Sequence, residues 1–261
     1  MPFLDLPFDL HLHPDRTLRI RYERIEGDPA KPVLVFLHEG LGCVEMWKRF
    51  PQALCAATGC EALLYDRQGY GQSTPFARAR TVHYLHAYAL DELPAVLAAA
   101  IPERDYVIVG HSDGGSIGLI HAGERPERLR GLVTMAAHVS VEDEALQGIV
   151  VAQQAWDEGK LAGLAKYHGE KTEAVFRAWA ETWRSDWFRS WNIEYLLPSI
   201  VCPTLVLQGV QDQYGTPAQV DAIVRRVPGS RGRMIDDCAH SPHLEQADGV
   251  AALIGEFVGT L

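Results

Sequence analysis

The chain has 261 residues, 47% of them hydrophobic and 22% charged, and a formal net charge of −10. A chain this long buries enough apolar surface to fold without a disulfide or a metal, and its composition is that of an ordinary globular protein. The acidic balance argues against a duplex nucleic-acid partner, which needs clustered Lys and Arg, and against attraction to an anionic membrane surface.

The five cysteines, Cys43, Cys55, Cys60, Cys202 and Cys238, are odd in number and lack a C-x-x-C pair, so no disulfide framework is expected. Met1 to Pro14 shows no basic stretch followed by an apolar run, which argues against a signal peptide. No segment approaches the roughly 18 uninterrupted apolar residues of a membrane span. The expectation is a soluble, cytoplasmic protein; the sequence does not set its oligomeric state.

Leu18–Ile25 alternates and reads as an early antiparallel strand. Pro32–Leu37 is a continuous apolar run, as expected of a central parallel strand covered on both faces. A helix over Met46–Ala57, a strand over Cys60–Tyr65 and a helix over Val82–Ala100 follow. Next come a strand at Tyr106–Val109, a helix at Ser116–Gly123 and a strand at Leu129–Met135. After a long interval the rhythm resumes with a strand at Thr204–Gln208, a helix at Pro217–Val227, a short strand at Arg233–Ile235 and a final helix over Leu244–Val258. Alternating β and α elements predict an α/β fold with a mostly parallel central sheet flanked by helices.

Residues 139–197 break this rhythm and read as several helices. They are expected to form an inserted helical cap on a core made of residues 1–138 and 198–261. Five of the six tryptophans lie there, and Trp179, Trp183, Trp187 and Trp191 recur every fourth residue, predicting one helical face. Such a stripe either glues the cap to the core or roofs a substrate pocket; Trp183 and Trp187 are the pocket candidates.

The sharpest signal is Val109-Gly110-His111-Ser112-Asp113-Gly114-Gly115, where an apolar strand runs out and a helical pattern begins. Glycines on both sides of a serine permit a turn too tight for side chains, and place the Ser112 hydroxyl at a helix N-terminus. A serine hydroxyl is a poor nucleophile without a base. Among the downstream histidines His121, His138, His168, His240 and His243, His240 lies in the loop between the last strand and the last helix, at the sheet edge where Ser112 sits. His243 begins that helix and is the second choice, while His121 and His138 read as structural. For the acid, Asp212 follows an apolar strand and precedes a helix opened by Thr216-Pro217, whereas Asp236 and Asp237 are too close in sequence to His240. Its expected role is to hold the imidazole tautomer. An oxyanion hole needs two donors: the N–H of Asp113 and one from His38-Glu39-Gly40-Leu41-Gly42, with Gly40 the first candidate and Leu41 the second. His38 reads as a brace for that loop.

Together with Asp66-Arg67-Gln68-Gly69-Tyr70-Gly71-Gln72-Ser73, these segments resemble the α/β-hydrolase superfamily over most of the chain. The resemblance implies a capped eight-stranded sheet and two-step acyl transfer from a small-molecule substrate without a cofactor. The Asp66–Ser73 turn is structural in that family. Two positions depart from its pattern: Glu39 stands where the family carries glycine, and Asp113 where small or apolar residues are common. Each carboxylate either hydrogen-bonds nearby backbone or biases the site against substrates with a carboxylate near the reacting carbonyl. Glu39 is thereby a further substrate-pocket candidate.

His11-Leu12-His13 and the His83, His86 pair lack a third metal ligand at a suitable spacing, so no metal is expected. A serine at the elbow also argues against the dehalogenase and epoxide-hydrolase branches, which attack through a carboxylate. The expected activity is hydrolysis of a small or medium carboxylic ester, thioester or lactone. A carbon–carbon bond hydrolase or aminopeptidase with the same triad, and a slow-turnover ligand receptor, are the rival readings.

Overall fold

The computed structural model describes residues 2–7 and 17–261; His11 and His13 lie outside them. Eight strands, β1 (Phe3–Pro7), β2 (Thr17–Ile25), β3 (Val33–Leu37), β4 (Ala62–Tyr65), β5 (Tyr106–His111), β6 (Leu129–Met135), β7 (Thr204–Gly209) and β8 (Arg231–Ile235), form one sheet in the order β1-β2-β4-β3-β5-β6-β7-β8. β1 and β2 pair antiparallel at one edge, and β4 onward is parallel. β3 shows why the central strands carry unbroken apolar runs. Val33, Val35 and Leu37 enter the core on one face, while Leu34 and Phe36 enter the core on the other.

Helices cover both faces. α1 (Phe50–Thr58) packs on one face beside a late C-terminal helix, and α2 (Tyr84–Ala87), α3 (Leu93–Ala100) and α4 (Asp113–Gly123) lie on the other. α2 runs into α3 through a single π turn at Tyr88–Glu92. Between β6 and β7 the chain makes a helical excursion with α5 (Asp143–Asp157), α6 (Ala165–His168) and α7 (Thr172–Arg184). Ser140 and Asn192 form an isolated bridge at its neck, and Trp156 stacks on Phe176 with ring centroids 4.3 Å apart. α8 (Pro217–Arg226), α9 (Pro242–Glu245) and α10 (Ala247–Val258) complete the chain, with Thr216 capping α8 through its hydroxyl as a Thr-Pro start predicts.

The tryptophan periodicity is corrected here. α7 ends at Arg184, so Trp187 and Trp191 follow the helix instead of extending its face. Among the described residues, no helix is long and apolar enough to cross a membrane, and no group of three potential ligand side chains is placed to hold a metal ion. All five cysteines are buried free thiols.

The turn after β4 is organised by Asp66, which is fully buried. Its Oδ1 accepts the Val44 N–H at 2.7 Å, its Oδ2 accepts the Gln72 N–H at 2.8 Å, and the Arg21 guanidinium lies 3.7 Å away. Arg21 also pairs with Glu23, so what removal of the carboxylate strands is the Val44 and Gln72 N–H groups, at a cost of about 1–3 kcal/mol for a buried donor left without its acceptor. Asp66→Ala is therefore expected to lose about that much in urea unfolding, and an unchanged midpoint would refute the role.

His243, in α9, has its ring against Trp47 (4.6 Å), His111 (4.7 Å) and Phe50 (5.7 Å). Burial, helped by the charge of His240, lowers its pKa to about 3. The folded protein thus keeps His243 neutral while the unfolded chain protonates it below about pH 6.5, so this residue destabilises the fold as pH falls. His243→Phe is expected to shrink the stability loss between pH 7.5 and 5.5 by about 1.4 kcal/mol, read as the difference between two denaturant melts per variant.

Candidate active site

The parallel strands deliver their C-terminal loops to one rim of the sheet, where four of them meet. β5 ends at His111, and Ser112 turns the chain into α4 at φ 52°, ψ −118°. This is a region that L-residues avoid. The turn is held by the Ser112 N–H donating to Met135 O at 2.8 Å, and by the Ser112 carbonyl accepting from the N–H groups of Gly115 (2.8 Å) and Ser116 (3.0 Å). The flanking glycines are required by space. A Cβ on Gly110 would collide with the Gly114 carbonyl, and one on Gly114 with the carbonyl oxygen of Leu37.

Asp212 lies beyond β7 and His240 beyond β8. His240 Nδ1–H donates to Asp212 Oδ1 at 2.8 Å, which leaves Nε2 as the acceptor facing Ser112 Oγ at 3.0 Å. Asp212 Oδ1 also accepts the Tyr214 N–H at 2.9 Å. Burial pushes the Asp212 carboxyl up, but the His240 hydrogen bond and charge outweigh it and leave its pKa lowered. Asp212 is thus held as a carboxylate. The hydroxyl, imidazole and carboxylate form one hydrogen-bonded line.

The loop after β3 is equally constrained. The Glu39 carbonyl accepts from His38 Nδ1–H at 2.8 Å, from the Arg67 guanidinium at 3.0 Å and, closing a β-turn, from the Gly42 N–H at 3.1 Å. A trans peptide directs its N–H opposite to its carbonyl, so these three donors aim the Gly40 N–H away from His38 and Arg67. His38 Nε2 accepts the Arg67 N–H at 3.1 Å. Burial and the Arg67 charge keep this imidazole neutral, its pKa well below the ordinary value. The N–H of Leu41, the second donor candidate, is taken up by the Glu39 carboxylate. That of Asp113 opens α4, in the first turn whose N–H groups have no partner within the helix.

Both unusual carboxylates have partners. Asp113, 1% exposed, accepts the Tyr84 hydroxyl proton at 3.1 Å, and Tyr84 accepts Trp183 Nε1–H at 3.0 Å. Glu39 is half-buried beside His240 and Asp113. Burial raises its pKa, the Leu41 N–H and the His240 charge oppose this, and the Asp113 charge adds to the rise.

Trp183 is buried against His138, with centroids 5.0 Å apart, whereas Trp187 is 48% exposed and touches Phe188. Two aromatics that were not among the pocket candidates line this rim instead, Trp179 from the tryptophan stripe and Tyr214. Trp179 lies where a Cβ on Gly40 would be, 2.5 Å from its Cδ1, and edges onto Tyr214 at 6.0 Å. Tyr214 in turn lies 4.7 Å from the His240 ring. His138 is another buried imidazole, 6.1 Å from His240; burial, with the His240 charge next, lowers its pKa to about 4.

The model of the alpha/beta hydrolase family matches residues 34–253. The mouse (Mus musculus) serine hydrolase BPHL is 29% identical over 203 residues, covering 74% of this chain and 68% of that protein. Rhodomycin D methylesterase DnrP of Streptomyces peucetius is 24% identical over 279 residues, covering 87% of this chain and 91% of its own. Among solved structures, VinJ superposes with a TM-score of 0.73 at 25% identity, covering 100% of this chain and 99% of that one. An esterase from Thermogutta terrifontis shares the fold, with a TM-score of 0.76 at 22% identity and coverage of 100% and 99%. With the sheet order, the elbow and these likenesses together, the chain belongs to the alpha/beta hydrolase family and is a hydrolase.

Proposed function

We propose that this enzyme hydrolyses small or medium carboxylic esters through an acyl-enzyme on Ser112, with residues 139–197 as a cap over the pocket. The observation that carries this reading is the hydrogen-bonded line from Ser112 Oγ through His240 to Asp212. In it, Ser112 Oγ attacks the ester carbonyl carbon while its proton passes to His240 Nε2. The N–H groups of Gly40 and Asp113 receive the developing oxyanion, each such donor being worth about 2.7–4 kcal/mol of transition-state stabilisation. Collapse of the tetrahedral intermediate expels the alkoxide, which takes the proton from His240. Water then adds to the acyl carbonyl, His240 takes its proton, and the carboxylic acid and free Ser112 are restored. Asp212 holds the imidazole and steadies its cationic form without taking the proton.

The pocket's electrostatics support neutral acyl groups. Glu39 lies near enough to His240 for their charges to interact, and a substrate carboxylate brought against it in poorly solvated space is repelled. A methylesterase and a methyl ester esterase among the relatives support ester chemistry over carbon–carbon cleavage.

Two measurements test this. A fluorophosphonate probe is expected to label the wild type on Ser112 and to leave Ser112→Ala unlabelled, and Ser112→Ala and His240→Ala are each expected to lose at least about 10⁴-fold in kcat on p-nitrophenyl esters. Labelling elsewhere, or an active Ser112→Ala protein, would refute the mechanism. In the second, p-nitrophenyl butyrate is expected to be turned over with higher kcat/KM than the p-nitrophenyl monoester of succinate, and Glu39→Gln is expected to narrow the gap. A preference for the anionic ester would overturn the electrostatic reading.

A further inference from the structure

His168 is 3% exposed, lies at the end of α6 in the inserted segment, and takes no part in the chemistry proposed above. Its two ring nitrogens reach two different loops of the core. Nδ1 accepts the Gly71 N–H at 3.0 Å, and Nε2–H donates to the Leu41 carbonyl at 2.8 Å. These two bonds fix the neutral Nε2–H tautomer, since a nitrogen facing an N–H must carry the lone pair. The Gly71 end is rigid. That residue has φ 44°, and any Cβ there would collide with the buried Asp66 carboxylate. Next to it in the same segment, Lys171 Nζ donates to the Tyr70 carbonyl at 2.9 Å and to the Ser73 carbonyl. The inserted segment thus grips an immobile turn at residues 70–73.

The Leu41 end is part of the β-turn Glu39-Gly40-Leu41-Gly42. Its first carbonyl is held from below by His38 and Arg67, and the Leu41 N–H by the Glu39 carboxylate. The Leu41 carbonyl points the other way, and His168 holds it. The turn that carries the Gly40 N–H is therefore held from the core at the Glu39 carbonyl and from the inserted segment at the Leu41 carbonyl, and the Gly42 N–H bond to Glu39 O links the two peptides.

We propose that His168 is a positioning residue that ties the inserted helical segment to the oxyanion turn and so sets the direction of the Gly40 N–H. This inference rests on the serine-hydrolase reading of the same site. Nothing in it requires His168 to touch substrate. Its effect appears in the transition state, where the oxyanion forms, and not in ground-state binding, because only the donor's aim changes.

The two bonds can be separated by substitution. In His168→Gln the amide nitrogen reaches the position of Nε2 and keeps a donor for the Leu41 carbonyl, while the acceptor for Gly71 is lost. In His168→Asn the side chain keeps an acceptor near Nδ1 and loses the donor to Leu41. On p-nitrophenyl butyrate, His168→Asn is expected to lower kcat about 10- to 100-fold, the effect of misplacing a catalytic group by an ångström or less, with KM changed less than about threefold. His168→Gln is expected to restore at least half of that loss on a logarithmic scale, although both variants show a lowered melting temperature. Affinity for a phenylboronic acid, whose adduct places an oxygen at the oxyanion position, is expected to fall in parallel with kcat in the Asn variant.

Equal loss of kcat in the two variants, a loss confined to KM, or no loss in either would overturn the proposal. If His168→Asn does not fold, His168→Gln decides alone. Activity within about tenfold of wild type at a lowered melting temperature supports the proposal, and a larger loss of kcat in the folded Gln variant overturns it. Fluorophosphonate labelling of the wild type on Ser112 is run in parallel. Its failure removes the underlying mechanism, whereas labelled wild type with an unaffected His168→Asn variant removes only the role of His168.

Discussion

A serine held at φ 52° and ψ −118° occupies backbone space that costs on the order of 1–3 kcal/mol for a residue with a Cβ. The surrounding structure over-determines it. The strand before it is paired on both sides, the helix after it draws two N–H groups onto its carbonyl, and neighbouring chain fills the volume that Cβ atoms at 110 and 114 would need. Relaxing Ser112 into an ordinary conformation would break β5 from α4. The hydroxyl is therefore held at the rim, facing His240, as a condition of the fold, and the loops carrying His240, Asp212 and Gly40 have a fixed point to converge on.

The same rim concentrates ionisable groups in little water, and the chain handles them in two ways. Carboxylates receive specific donors: Asp66 has two backbone N–H groups and Arg21, Asp212 has His240 and Tyr214, and Asp113 has Tyr84. The imidazoles of His38, His111, His138 and His243 are kept neutral by burial, those of His38 and His111 shifted well below the ordinary range. His111 Nε2–H donates to the His240 carbonyl, 2.7 Å away, so the proposed base is positioned through its own backbone by a second imidazole. Neutral neighbours of this kind add shape and hydrogen bonds without adding positive charge that would oppose protonation of His240.

Much of this could be read from the residues. Unbroken apolar runs such as Val33–Leu37 betray strands buried on both faces, and a G-x-S-x-G string between such a run and a helical pattern has few other uses. Asp212 and His240 followed from their position past the last two strands, because chain order and sheet edge suffice to place them. Less was legible where the outcome depends on packing. β1, the five residues Phe3–Pro7, is too short to announce itself and exists by pairing with β2. The helix after the elbow starts at Asp113 and not at Ser116, since Gly114 and Gly115 have poor helix propensity and are recruited by the lack of room for anything larger. The tryptophan stripe misled at its far end, because a period of four persists in the sequence past Arg184 while the helix does not. Tyr214 and His168 have no local signature, and the stripe containing Trp179 does not say what it packs on; their significance comes from how the inserted segment and the loop after β7 meet the rim.

The fit between Trp179 and Gly40 limits how this active site can be altered. The indole edge occupies the volume of a missing side chain, so the loop and the α7 helix share one boundary with no slack between them. Introducing even alanine at position 40 would push α7 outward, and a smaller residue at 179 would open a slot directly over the Gly40 amide. Mutagenesis at this site therefore has to treat these two positions as a single unit, varied together, because changing either one alone leaves the loop and α7 misfitted.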